Sequence, residues 1–525
     1  MIAQKGANTA AGRYSELSTS RSPYLERGRD SAKLTIPALL PPQGTGGSTE
    51  LHKPYQSMGA DGVNNLAGKL LLALFPPNQS FFRLVVPDSV LSELGAGAGA
   101  QIKQQLEEGL ARVESEVQKE VETSAVRVSL GELIRHLIVT GNACLQVLPT
   151  GKLKVTRLDR YVVKRDPTGE VVEAIIHERA ATAALPKDFL AALKRRDEYR
   201  RANAQSFVDI YTWLRRDGDM FLIHQEVAGK PVPGSEGSYP VTSCPFLFLR
   251  WTKMDGEDYG RSHSDDNFGD LRSLEGLSAA IVEGSSAAAK LLFLVDPMGM
   301  TTMDTIANAP NLAIRSGRGA DVSTIKTDKA SDFAVALSTI QNIERRLSRS
   351  YLMTSSIQRN AERVTAEEIR LLAGELEDAL GGVYALLSQE LQFPYVQAVM
   401  AYLTRAKRIP ALPKNVKPVI ITGLSALGRN HELNRLMMFA RATNELLGPG
   451  AAARYLKVPA ALSTVALSVG LAPAEYVRTE EEVAKEVAAE RQQALSEKLG
   501  PEVIRARASM SNPNQEATNA QQVPQ

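Results

Sequence analysis

The chain has 525 residues, 43% of them hydrophobic, with two cysteines and a formal net charge of +2. Such a length can bury several cores, roughly three structural units by size, while Cys144 and Cys244 cannot build a disulfide framework and fit synthesis in a reducing cytoplasm. A charge so near zero argues against a sequence-specific DNA reader, whose affinity comes from many Lys and Arg contacts that release counterions, and no stretch approaches the roughly 20 apolar residues of a membrane span.

The first residues are small and polar, expected to be disordered, and Met1–Arg13 lacks the apolar core of a signal peptide. Tyr14–Lys33 is charged and helical in type, and the loop signal Pro41–Ser48 separates it from a helix over Ala60–Phe75 with Val63, Leu66, Leu70, Leu71 and Leu74 at helical spacing. Gln101–Thr123 follows, with Ile102, Leu106, Leu110, Val113 and Val117 on one stripe, and Leu130–Val139 extends the helical region. From Asn142 to Glu178 short β-branched runs broken by Thr150-Gly151 and Pro167-Thr-Gly169 predict a meander of strands, continued at Phe207–Leu214, Met220–Val227 and Pro245–Trp251. Lys187–Ala204 between them reads as a basic helix.

Beyond residue 270 helices return. Asp270–Leu292 and Ser331–Leu352 flank a Gly/Pro-containing stretch with the look of short strands, giving a helix, β insert, helix order. Small residues crowd the first of these helices, and Gly276, Gly284 and Ala288 predict close helix packing that offsets the roughly 1 kcal/mol lost by each helical glycine. Near the end of the second, Arg345, Arg346 and Arg349 cluster, where basic side chains also suit the helix dipole without any DNA. Thr354–Val364 lacks helical periodicity, and Thr365-Ala-Glu-Glu368 has the form of a capping box that opens a new helix. That helical region, Ala366–Arg405, is interrupted at Gly381-Gly382 and Pro394; Glu475–Leu499 is a charged helix, and Ser509–Gln525 is too polar to fold alone.

Enzymatic motifs are wanting. Gly62–Gly68-Lys69-Leu70 imitates a phosphate loop, but it has one residue too many between its glycines, no hydroxyl after the lysine, and a helical setting whose amides are already used. Asp255, Glu257, Asp258, Asp265, Asp266 and His263 crowd together without the spacing of a calcium loop or a zinc site, and read as a solvated turn. The six histidines are scattered with no pair at ligand spacing, and His136 reads as a packed side chain. No catalytic residue, metal site or cofactor is expected.

Several segments together carry a resemblance: Asn64-Asn-Leu-Ala-Gly-Lys-Leu-Leu-Leu-Ala-Leu-Phe-Pro76, Asp255-Gly-Glu-Asp-Tyr-Gly-Arg-Ser262, Gly269-Asp-Leu-Arg-Ser-Leu-Glu275 and Arg359-Asn-Ala-Glu-Arg-Val-Thr-Ala-Glu-Glu-Ile-Arg370, running on into Glu375–Tyr384. Over nearly its whole length the chain resembles the head-to-tail connecting (portal) proteins of short-tailed, podovirus-type phages. The resemblance implies a mainly helical α+β fold with regions called wing, stem, clip and crown, assembled as a ring of twelve subunits around a DNA channel. Carried over by region, it implies a disordered N-terminus at 1–13, the first, α/β part of the wing at 14–268, and stem helices at 269–293 and 331–353 flanking a clip at 294–330. A channel loop follows at 354–365, then wing-completing helices at 366–470, crown-like helices at 471–508 and a disordered tail at 509–525.

The same resemblance implies a structural, non-enzymatic part at one capsid vertex of the virion, assembled in the host cytoplasm, through which double-stranded DNA passes without sequence specificity. Terminase, then tail adaptor or tail tube proteins, would dock on it, with major capsid and scaffolding proteins around it and no membrane. Gln358, Arg359, Asn360 and Arg363 of the loop, with Arg345, Arg346 and Arg349 of the stem, are the residues expected to face DNA. Rival readings are a tail adaptor or scaffold, which would be much shorter, and a packaging ATPase or nuclease, which would show a phosphate loop, an arginine finger or a carboxylate triad.

Overall fold

The computed structural model describes residues 9–77, 81–85, 99–123, 126–186, 206–288, 292–325, 330–353, 366–380, 382–410, 419–422 and 429–447, with isolated positions besides. Helix α1 (Ala10–Leu34) begins four residues ahead of the expected Tyr14. Two of its first-turn amides find acceptors: the Thr9 hydroxyl takes Gly12 N–H at 3.2 Å, and the buried Glu226 carboxylate takes Ala10 N–H at 2.7 Å. The expected N-terminal disorder is thereby corrected for residues 10–13.

Helix α2 (Met58–Leu74) keeps Val63, Leu66, Leu70 and Leu74 fully out of water, as its spacing predicts. Strand β1 (Phe82–Val85), which no local pattern announced, and helix α3 (Gly99–Thr123) lead to helix α4 (Val126–Thr140). In α4 Leu130, Leu133, Ile134, Leu137 and Ile138 are all buried, so this helix is enclosed on most sides at the centre of the core. Gly141 ends it at φ +72, where a side chain would both strain the backbone and bring a Cβ within 2.6 Å of the Arg261 carbonyl carbon.

The expected meander divides into two antiparallel sheets. Strands β2 (Asn142–Val147), β3 (Leu153–Thr156) and β10 (Phe246–Arg250) form one, in the order β10-β2-β3. The other runs β4 (Tyr161–Arg165), β5 (Val171–Ala181), β6 (Phe207–Asp217), β7 (Met220–Val227) and β8 (Lys230–Pro231), with β9 (Gly237–Pro240) also paired to β7. The two-residue period of a strand decides its faces. Ala174 and Ile176 of β5 join the main core, whereas Ile175, with Val162 and Trp213, packs on Ala10 and Leu17 of α1. Of Lys187–Ala204, expected as a basic helix, only the buried Phe189 lies among the described residues.

The helix, β insert, helix order holds. It comprises a short α5 (His263–Asp266), α6 (Phe268–Ala288), β11 (Leu292–Val295), α7 (Met303–Ala307), β12 (Val322–Ile325) and α8 (Ala330–Ser350), with β11 and β12 antiparallel. Then come α9 (Ala366–Leu380), α10 (Val383–Leu387), one π turn (Ser388–Gln392), α11 (Phe393–Arg405) and β13 (Val419–Thr422). Gly382, at φ +89, accompanies the break after α9. Pro394 falls within a continuous helical run from α10 to α11, directly after the π turn, so regular α-bonding is interrupted beside it while the helix itself goes on. β13 pairs with β1 in the register Phe82↔Thr422 to Val85↔Val419. The chain divides into compact units 1–427 and 428–525, and of the second the helix α12 (Arg429–Leu447) is described, with Met438, Phe439 and Leu446 exposed. The architecture is α+β and mainly helical.

Candidate functional site: the helical hairpin and its two ends

Helices α6 and α8 lie side by side as an antiparallel hairpin, since Asp270 meets Arg346 at one end and Gly284 meets Phe333 toward the other. At the base, Leu271 and Leu274 of α6 and Ile340, Ile343 and Leu347 of α8 are buried in the main core. The Arg346 guanidinium donates to both Asp270 carboxylate oxygens, Nη2 to Oδ1 at 2.6 Å and Nε to Oδ2 at 3.0 Å. Arg346, expected to face DNA, is thus engaged in tying the two helices. Arg345 reaches Asn342 only at 3.5 Å, and Arg349 is exposed.

The small residues of α6 separate by role. A Cβ on Gly284 would lie 2.8 Å from the Phe333 ring, so close packing there needs glycine. Within the single subunit nothing stands within 4 Å of where a Gly276 Cβ would be, and Gly276 lines an open groove with Ser273, Leu277, Thr339 and Ile343. Ala288 is the last residue of α6, and its side chain lies outside the described residues.

Where α8 ends, elements distant in sequence converge. Asn65 Nδ2 of α2 donates to the carbonyls of Tyr351 at 2.9 Å and Leu352 at 3.1 Å, and Lys69 Nζ donates to Leu352 O at 2.7 Å. The Tyr351 ring rests on Gly62, and its hydroxyl donates to Ser264 Oγ at 3.2 Å. His263 Nε2 lies 3.1 Å from both the carbonyl and the hydroxyl of Ser350. Burial pushes the His263 imidazole down to about 4 and, with the Ser264 contact opposing it, the Tyr351 phenol up to about 12. Burial also lowers the Lys69 ammonium, against the pull of Glu375. Thr354–Val364 follows immediately; Gln358, Arg359, Asn360 and Arg363 lie outside the described residues.

At the far end of the hairpin the loop between β11 and β12 is pinned on polar groups. Asp321, itself buried, accepts from Thr301 N–H at 3.2 Å and Thr301 Oγ at 3.1 Å, and Thr301 Oγ accepts from Arg318 N–H at 3.0 Å. Glycines fit this frame: a Cβ on Gly299 would sit 2.7 Å from Asp321 Cγ, and one on Gly317 2.7 Å from Thr301 Oγ1. From it project Met298, Met300, Met303, Leu312 and Ile314, between 72% and 99% exposed.

The motifs that imitated chemistry have other partners. Gly62 and Lys69 of the phosphate-loop imitation sit within α2 against the end of α8. In the acidic cluster, Glu257 pairs with Arg261 at 2.6 Å, and Asp258 accepts from Arg165 N–H at 2.7 Å and Lys164 Nζ at 3.2 Å. Among the described residues no three His, Cys, Asp or Glu side chains gather as a metal site.

Residues 7–477 match the family model described as bacteriophage head to tail connecting protein. The chain belongs to that family. The portal protein of Escherichia phage T7 is 40% identical over 443 residues, covering 83% of this chain and 81% of that one. That of Enterobacteria phage T3 is 39% identical over 438 residues, covering 82% and 81%. Among solved structures, the neck of an empty GTA particle aligns at a TM-score of 0.36 with 12% identity, over 74% of this chain and 86% of that chain. The family match extends from before α1 to past α12, so the hairpin, its base and its tip all fall inside the connecting protein's own length. Asn65, Lys69 and His263 escaped the sequence-based choice of site residues. Asn65 and Lys69 did stand inside a segment that carried the resemblance.

Proposed function

We propose that this connecting protein is the structural portal subunit at one vertex of a bacteriophage head, that twelve copies close into a ring, and that double-stranded DNA is packaged, retained and ejected along the ring axis. The family match over residues 7–477, with 40% identity to the T7 portal protein over 443 residues, carries the reading. Packaging chemistry then belongs to a separate terminase, and this chain is no enzyme. The α6–α8 hairpin serves as stem, the β11–β12 tip as the clip on which terminase and later tail adaptor or tail tube proteins dock, and Thr354–Val364 as the channel loop. Its Arg359 and Arg363 touch phosphates without reading bases, as passage of any sequence requires. Contacts of about 1 kcal/mol repeated around a ring would stall a moving duplex, so each is weak.

The exposed apolar tip supports assembly, because a soluble monomer seldom leaves such side chains in water together. Electron microscopy of the purified protein is expected to show rings with an axial hole. Light scattering that finds only the 56.9 kDa monomer at micromolar concentration would overturn the ring. ATPase or nuclease activity that copurifies with such rings would overturn the non-enzymatic assignment.

A further inference from the structure

We infer that Asn65 and Lys69 are positioning residues that hold the end of α8 and so set the direction in which the chain departs into Thr354–Val364. The inference rests on the reading of that segment as the channel loop. Helix α8 ends at Ser350, and the carbonyls of a last helical turn lack intrahelical donors. Just beyond it, the Tyr351 and Leu352 carbonyls take their donors from α2, an element nearly three hundred residues earlier.

Leu352 also needs holding. Its φ is +54, in the left-handed region that residues other than glycine disfavour. Local bonds close this turn, Leu352 N–H on Arg349 O at 3.1 Å and Met353 N–H on Ser348 O at 2.7 Å, while the α2 donors fix it in space. Gly62, Asn65 and Lys69 follow at helical spacing, so one stripe of α2 meets this turn. Gly62 admits the Tyr351 ring, which a Cβ would strike at 2.7 Å. Lys69 is only 6% exposed, unusual for an ammonium unless it has partners, and it brings positive charge to the negative end of α8. Helix α9, on the far side of Thr354–Val364, also packs on α2, so both flanks of the segment are referred to the same helix.

The test uses full-length rings carrying Lys69→Met, which removes the charge and its donors, or Asn65→Asp, which exchanges a donor for an acceptor while keeping shape. Hydrogen exchange followed by mass spectrometry is expected to show the amides of Leu352 and Met353 exchanging about tenfold faster or more. Amides within Leu337–Leu347, ring yield and melting temperature are expected to stay near the parent's. Filled heads built with either variant are expected to leak DNA or package slowly, and Arg359→Ala with Arg363→Ala serves as the comparison. Unchanged exchange at Leu352 and Met353 in both variants would overturn the inference. So would faster exchange with parental packaging and retention, if the double arginine variant does disturb DNA handling. Silence of all variants in the DNA assays would instead sink the channel reading, and this inference with it.

Discussion

The two ends of the α6–α8 hairpin are built on opposite terms. At the base, Leu271, Leu274, Leu347 and Tyr351 are at most 1% exposed, and the chain itself supplies their cover and the polar partners of the turn beyond. At the tip a few polar bonds fix the backbone, and Met298, Met300, Leu312 and Ile314 stand at least 88% exposed. The folded subunit therefore completes its own base, whereas at the tip it leaves large apolar side chains in water. On the proposed function, that separation divides stability from assembly along one pair of helices.

That separation is open to direct attack, most forcefully at the base. Leu347→Ala is expected to cost about 2–5 kcal/mol of subunit stability in denaturant titrations. Ile314→Ser is expected to leave that stability within about 0.5 kcal/mol while lowering ring yield in light scattering. Equal losses from both would erase the distinction.

Acid should act at two buried histidines, one in the core and one at the base. His263 at the base and His136 in α4 are both pushed by burial down to about 4, below the usual 6.5. Folded pKa values below the unfolded one mean that the unfolded chain binds more protons between those limits. The stability is therefore full above pH 6.5 and is lost as pH falls toward 4, by at most roughly 3 kcal/mol for each histidine. His263→Gln is expected to flatten the melting-temperature profile between pH 6.5 and 4, and an unchanged slope would remove His263 from the account.

Within α6 the two glycines offer a contrast of sign. Gly284→Leu is expected to cost about 1–3 kcal/mol by overpacking against Phe333. Gly276→Ala, with open space around it in the subunit, is expected to gain up to about 1 kcal/mol of helix stability. If Gly276→Ala keeps that gain in the subunit and yet prevents rings, the groove beside it is filled by a neighbouring copy. The smallest effect belongs to the Arg346–Asp270 tie, with side chains 62% and 31% exposed. A double-mutant cycle is expected to give about 0.2–1 kcal/mol, less at high salt.

Sequence alone made the long elements legible because their signals are local. The stripe of α2, the apolar repeat of α4 and the β-branched runs around β5 each report an element within a few residues. The order of helix, β insert and helix was legible for the same reason. What escaped depends on distant partners. Four residues of β1 take their meaning from β13. Lys69 looked like part of a failed phosphate loop because its acceptor, Leu352 O, lies elsewhere in the sequence. Gly276 and Gly284 share one residue type on one helix, and only the position of Phe333 tells them apart. The arginines at 345, 346 and 349 formed one cluster in the sequence, yet Asp270 claims one of them.

The C-terminal end of α2 has a bearing on how the subunit comes into being on the ribosome. Its last carbonyls accept from groups made far later: Ala73 O from the Tyr384 hydroxyl at 3.3 Å, and Leu74 O from the Gln392 amide. Translation at about 5–20 residues per second places tens of seconds between the helix and its caps. Through that interval the nascent chain holds an unfinished helix end and a β1 without its β13 partner, and neither is completed until the segments beyond the hairpin have emerged. The hairpin and its tip are thus synthesised before the body that carries them is whole, so a truncated product ending inside α9 would present the apolar tip on an incomplete body.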